Sequence, residues 1–207
     1  MSDTPDTYTA FIGGKRIAAG TLAETAAGVR AAMDGDATAM ALIFEDATGR
    51  AVDVDLRGTA EEVRARLTPA EAPRGPGRPR LGVTAREVTL LPRHWDWLAG
   101  QPGGASAALR RLVEEARRTH ADRDGWRQAK ERAYRFMSAI AGGFEGFEEA
   151  SRALFAHDAE AFARCIAGWP ADVQAHLAWL ARDVPTSRTD IAPCGRLPIG
   201  ECPMSRR

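Results

Sequence analysis

Apolar residues recur at two different periods along this chain, alternating in its first half and helical from about 92 on. The N-terminal third carries short β-favouring runs. Tyr8-Thr9-Ala10-Phe11-Ile12 and Arg16-Ile17-Ala18-Ala19 flank Gly13-Gly14-Lys15, and because glycine tolerates the positive φ of a tight turn, this pattern predicts a hairpin. A helix is predicted over about 21–33: Thr21 stands at the cap, Glu24 three residues on completes a capping box, and Leu22, Ala26, Val29 and Met33 fall on one stripe. Residues 39–44 and 51–56 predict two more strands around a polar turn at 46–50. In the second, Val52, Val54 and Leu56 alternate with Asp53 and Asp55, so one face is wet. Thr59 then caps a short helix reaching Leu67, which gives the order ββαββα.

Residues 68–80 hold four prolines and two glycines and read as a linker. Past it, residues 82–91 favour a strand and end at Pro92, which suits the first turn of a helix over about 92–100. Gln101-Pro102-Gly103-Gly104 breaks that helix. The next is amphipathic, with Ala105, Ala108, Leu109, Leu112, Val113 and Ala116 on one face and Arg110, Arg111, Glu114, Arg117 and Arg118 on the other. From about 122 to 182 the spacing is helical throughout. Trp126, Ala129, Ala133, Phe136, Met137 and Ile140 share a stripe, Gly142-Gly143 interrupts, and Phe147, Ala150, Leu154 and Phe155 mark the next helix. Asp158 caps a helix carrying Phe162, Cys165 and Ile166, and Pro170 opens one carrying Val173, Leu177 and Leu180. The fold class is therefore α+β: a small ββαββα unit at 1–67, the linker at 68–80, a strand-helix-helix module at 81–120, a helical bundle at 121–182 and a Pro-rich tail at 183–207 predicted to be disordered.

Composition narrows the class without naming a reaction. Of 207 residues 44% are hydrophobic and 27% charged, an ordinary globular balance that excludes a disordered, collagen-like or disulfide-scaffold chain. No apolar run is long enough to span a membrane, and the acidic start Met1-Ser2-Asp3-Thr4-Pro5-Asp6 is followed by no apolar leader, so the expected compartment is the cytoplasm. Cys165, Cys194 and Cys202 suit a reducing environment. The Cys194–Cys202 spacing, without a second pair or a nearby histidine, gives no expectation of metal, and no cofactor is expected either. The 28 basic and 28 acidic residues cancel but are unevenly placed: residues 74–123 hold 10 basic and 5 acidic, whereas residues 1–73 hold 7 and 12. A basic middle fits either a DNA-contacting module, since phosphate attraction acts locally in salt, or a solvated face beside acidic neighbours.

The phosphate-loop, dinucleotide-binding, zinc-protease and nucleophile-elbow motifs are all absent, so the commonest enzyme classes lose support. The most site-like cluster is His94 beside Trp95, Asp96 and Trp97, a possible pocket. Side chains two apart on a helix diverge, however, and helix-packing tryptophans with a surface histidine are the plainer reading. Cys165 and His176 either meet across two helices or leave Cys165 as a buried structural thiol.

Taken together, Gly77-Arg78-Pro79-Arg80-Leu81-Gly82-Val83, Arg86-Glu87-Val88-Thr89-Leu90-Leu91-Pro92-Arg93-His94-Trp95-Asp96-Trp97-Leu98 and Ala105-Ser106-Ala107-Ala108-Leu109-Arg110-Arg111-Leu112-Val113 resemble an uncharacterised bacterial family, domain of unknown function 2239, over residues 8–182. That resemblance carries no catalytic residues. Within it, residues 83–118 are similar to ribbon-helix-helix DNA-binding proteins, in which strands from two subunits pair in the major groove while N-terminal amides of the second helix hold a phosphate. The resemblance implies a homodimer and places Arg86, Val88 and Leu90 toward DNA. Pro76-Gly77-Arg78-Pro79-Arg80 is similar to minor-groove hooks. The resulting expectation is a non-enzymatic DNA-binding or regulatory dimer using Arg78, Arg80, Arg86, Arg110 and Arg111, with a protein-interaction adaptor as the alternative and a small-molecule-binding enzyme as the third.

Overall fold

The computed structural model describes residues 6–34, 40–69 and 84–182. Arg78, Arg80, Cys194, Cys202, most of the linker and the tail at 183–207 lie outside the described residues. β1 (Tyr8–Ile12) and β2 (Lys15–Gly20) form the antiparallel hairpin, with Gly13 and Gly14 at positive φ in its turn. β3 (Ala41–Glu45) pairs antiparallel with β1, and β4 (Arg50–Val52) with β3, giving the sheet order β2-β1-β3-β4. Both helices of this unit start by the device that the sequence encodes. The Thr21 hydroxyl accepts from the Glu24 N–H at 3.3 Å while the Glu24 carboxylate accepts from the Thr21 N–H at 3.0 Å, opening α1 (Leu22–Met33). Thr59 and Glu62 repeat the exchange at 3.3 and 2.8 Å to open α2 (Ala60–Leu67).

The helical remainder comprises α3 (Pro92–Ala99), α4 (Gly104–Ala141), α5 (Phe147–Ala156), α6 (Ala159–Ile166) and α7 (Ala171–Leu180). Period-two alternation gives the sheet two buried faces. Ala10 and Ile43 pack with Ala26 and Val29 of α1 and Val63 of α2, whereas Phe11 and Phe44 pack with Phe136, Met137, Leu154, Ile166 and Leu177. The Phe44 and Phe136 rings meet edge to face at 4.7 Å. Three layers result, helices on both sides of one antiparallel sheet, and the segments 1–67 and 121–182 share a core rather than forming separate ones. The turn between β3 and β4 rests on α4, where the Arg135 guanidinium donates to the Thr48 carbonyl at 3.1 Å.

Three expectations change. The strand expected over 51–56 ends at Val52, because Asp55 takes the backbone N–H and the guanidinium of Arg57 at 2.9–3.1 Å and so holds the chain in a local turn; Val54 and Leu56 still pack against the α1–α2 side. The same bonds pull the Asp55 carboxyl well below the usual carboxylate range. Of the strand expected over 82–91, residues 82 and 83 lie outside the described residues, and 84–91 pair with no strand among the described residues. The boundary near 121 is crossed by one unbroken helix, the 38-residue α4, about 57 Å long.

Candidate functional site

α3 begins at Pro92, as the missing proline N–H allows, and lies against the start of α4, where Leu98 and Ala108 are buried. Beyond that small contact α4 projects. From Leu109 to Gln128, about 30 Å of helix, no side chain is fully buried; burial resumes at Ala129 and continues through Ala133, Phe136, Met137 and Ala141. The arm formed by residues 84–128 therefore leaves large apolar groups in solvent: Val88, Leu91, Trp95, Trp97 (54% exposed), Leu112 and Val113 (56% exposed). Surface apolar residues occurring singly are unremarkable, but here six lie on one supersecondary unit.

The predicted DNA-binding residues within the described chain are Arg86, Arg110 and Arg111, and all three are exposed. Arg110 donates to the Ser106 carbonyl of its own helix at 3.2 Å, and no ion pair to any of the three occurs among the described residues. Their neighbours Arg117 and Arg118 instead pair with Glu114 at 3.2 and 3.7 Å. The first turn of α4 has no side-chain cap, Gly103 at its N-cap being left-handed. His94, Trp95 and Trp97 are exposed on α3.

Sequence reasoning missed a second feature, a buried Asp–His pair. Asp46 follows β3 two positions after Phe44 and so shares its face, and its backbone N–H donates to the Thr7 carbonyl at 2.9 Å. His176 lies on the buried stripe of α7 with Val173, Leu177 and Leu180. Its Nε2 stands 3.6 Å from Asp46 Oδ1, too long for a hydrogen bond, and both atoms are buried without a hydrogen-bond partner. The imidazole packs on Phe136 (4.6 Å) and Phe11 (5.4 Å) and stacks on Trp179 (5.5 Å), whose ring Arg182 covers at 4.4 Å. Burial is the main force pulling the His176 pKa down to about 4, opposed by the Asp46 carboxylate and assisted by the Arg16 cation. The imidazole is thus neutral at pH 7. Cys165 sits elsewhere, half-buried on α6 in a cleft with Gly146 and Trp169, and does not meet His176. The signal available in the sequence was His176 at the i+3 position of the Val173 stripe and Asp46 in alternation with Phe44.

Among the described residues no group of three His, Cys, Asp or Glu is placed to hold a metal, and no helix is long and apolar enough to cross a membrane. The molecule is defined by these features as an α+β protein with a layered core and a projecting helical arm. Residues 7–181 match the model of the DUF2239 family, described as an uncharacterised protein conserved in bacteria, and the chain belongs to that family. Comparison with the curated proteins and with the solved structures finds no match.

Proposed function

We propose that this protein is a non-enzymatic binding protein that works as a homodimer joined through the arm at 84–128. The observation that carries the reading is the set of solvent-exposed apolar side chains on that arm, Val88, Leu91, Trp95, Trp97, Leu112 and Val113. A second copy is the occupant that fits. Residues 84–91 lead into Pro92 through an extended Leu91, with no strand beside them among the described residues, and antiparallel pairing with the same segment about a two-fold axis is the simplest closed arrangement that satisfies such a backbone. Similarity to ribbon-helix-helix proteins over 83–118 supports the same geometry. Val113→Glu and Leu112→Glu test it, because both positions are exposed and the substitutions leave the monomer core intact. Light scattering after size exclusion is expected to show a dimer for the wild type and a monomer for either variant at the same concentration. A wild-type monomer overturns the reading.

DNA contact by that dimer is the second reading, and what favours it is that Arg86, Arg110 and Arg111 have no acidic partner among the described residues and stand beside an uncapped helix start. Phosphate contacts govern such binding more than base contacts, since Val88 and Leu90 read bases poorly. In a mobility-shift salt series, each arginine replaced by Ala, Arg78 and Arg80 included, is expected to flatten the log K against log salt slope by about 0.9. No retention of any duplex at low salt leaves the interaction-protein reading alone.

A further inference from the structure

Beside the Asp46–His176 pair the molecule opens a cleft of about 510 Å³ between the edge of the sheet and α7, lined among others by Thr9, Arg16, Asp46, His176 and Trp179, a volume suited to a small organic molecule. Arg16 and Asp46 bring opposite charges to the lining of this cleft. The Arg16 guanidinium has no carboxylate at ion-pair distance among the described residues, and the neighbouring Asp172 accepts from the Arg16 backbone N–H at 2.9 Å. Asp46, only 6% exposed, has no hydrogen bond to Oδ1, and the neutral imidazole of His176 brings it no compensating charge. A buried carboxylate oxygen without a hydrogen-bond partner is costly, and a cationic ligand that pairs with this carboxylate gains what the free protein lacks. Trp179 adds an aromatic surface, 42% exposed, held in place between His176 and Arg182.

We propose that this cleft binds a small zwitterion of the amino-acid class, its carboxylate on Arg16, its ammonium on Asp46 and its side chain against Trp179. The site is independent of the arm and belongs to each subunit whether or not the chain dimerises. Titration calorimetry of the full chain with individual free L-amino acids at millimolar concentration, with propionate and propylamine as single-charge controls, tests it. The expected result is saturable binding of at least one amino acid with one site per chain, tighter than either control. Arg16→Gln removes an exposed side chain whose loss leaves the backbone bond to Asp172 in place, and is expected to weaken that binding roughly tenfold or more. Asp46→Asn, checked for folding by circular dichroism, is expected to do the same, and Trp179→Phe to abolish the accompanying change in tryptophan fluorescence. Absence of binding by every amino acid, equal binding of propionate or propylamine, or an unchanged Kd in Arg16→Gln overturns the proposal.

Discussion

Replacing Gly49 by Ala isolates the contact between the β3–β4 turn and α4. Gly49 has φ +67°, and a Cβ built there falls inside the carbonyl oxygen of Arg132. Gly13, in the β1–β2 turn, has φ +56° and open space around its Cβ position. The two substitutions share the same left-handed penalty, about 1–2 kcal/mol, partly offset by about 0.4–1 kcal/mol from a stiffer unfolded chain. Gly13→Ala is therefore expected to cost about 1 kcal/mol. At Gly49 the turn must also lift from the helix. That strains or breaks the charge-assisted bond from Arg135 to the Thr48 carbonyl (3.1 Å), about 1.5–3 kcal/mol, and adds overpacking of about 1–3 kcal/mol. The expected total is about 3.5–7 kcal/mol. For a chain of this length each kcal/mol moves Tm by about 2–4 °C, so Gly49→Ala lowers Tm by roughly 7–28 °C against about 2–4 °C for Gly13→Ala. Thermal and urea unfolding followed by far-ultraviolet circular dichroism read the difference. Equal losses in the two variants refute the docking of this turn on α4.

Other consequences are as direct. The unfolded chain protonates His176 near pH 6.5 and the folded chain only near pH 4, so between those values the unfolded state binds more protons. Stability falls as pH drops from 6.5 to 4, by at most about 3 kcal/mol, with Asp46 opposing and Arg16 reinforcing the effect. Urea titrations across this window are expected to lose that slope in His176→Phe, and an unchanged slope assigns it to other groups. Thr21→Ala and Thr59→Ala each break a capping box and are expected to cost about 1 kcal/mol in urea unfolding, with no cost at either site contradicting the cap assignment.

Local signals made most of the architecture legible. The Gly13-Gly14 hairpin, both capping boxes, Pro92 and Pro170 at helix starts and the Asp158 cap all act within a few residues of where they stand. What failed depended on distance or competition. Val52, Val54 and Leu56 alternate as a strand should, yet the side-chain bonds of Asp55 to Arg57 win over a ladder at the sheet edge. The division expected between 120 and 121 is bridged by continuous helix, since Gly125 costs a helix only about 1 kcal/mol and pairs such as Asp124 with Arg127 at 3.3 Å support the turn there. The Asp46–His176 pair was out of reach because it forms only when the end of β3 meets α7, more than a hundred residues later.

Self-association through the arm is the central claim, and sedimentation equilibrium of the wild-type chain at micromolar concentration tests it most directly. A mass of twice the 22.3 kDa chain, reduced to a single chain by Val113→Glu, is the predicted result; a wild-type mass of one chain across the whole concentration range contradicts it.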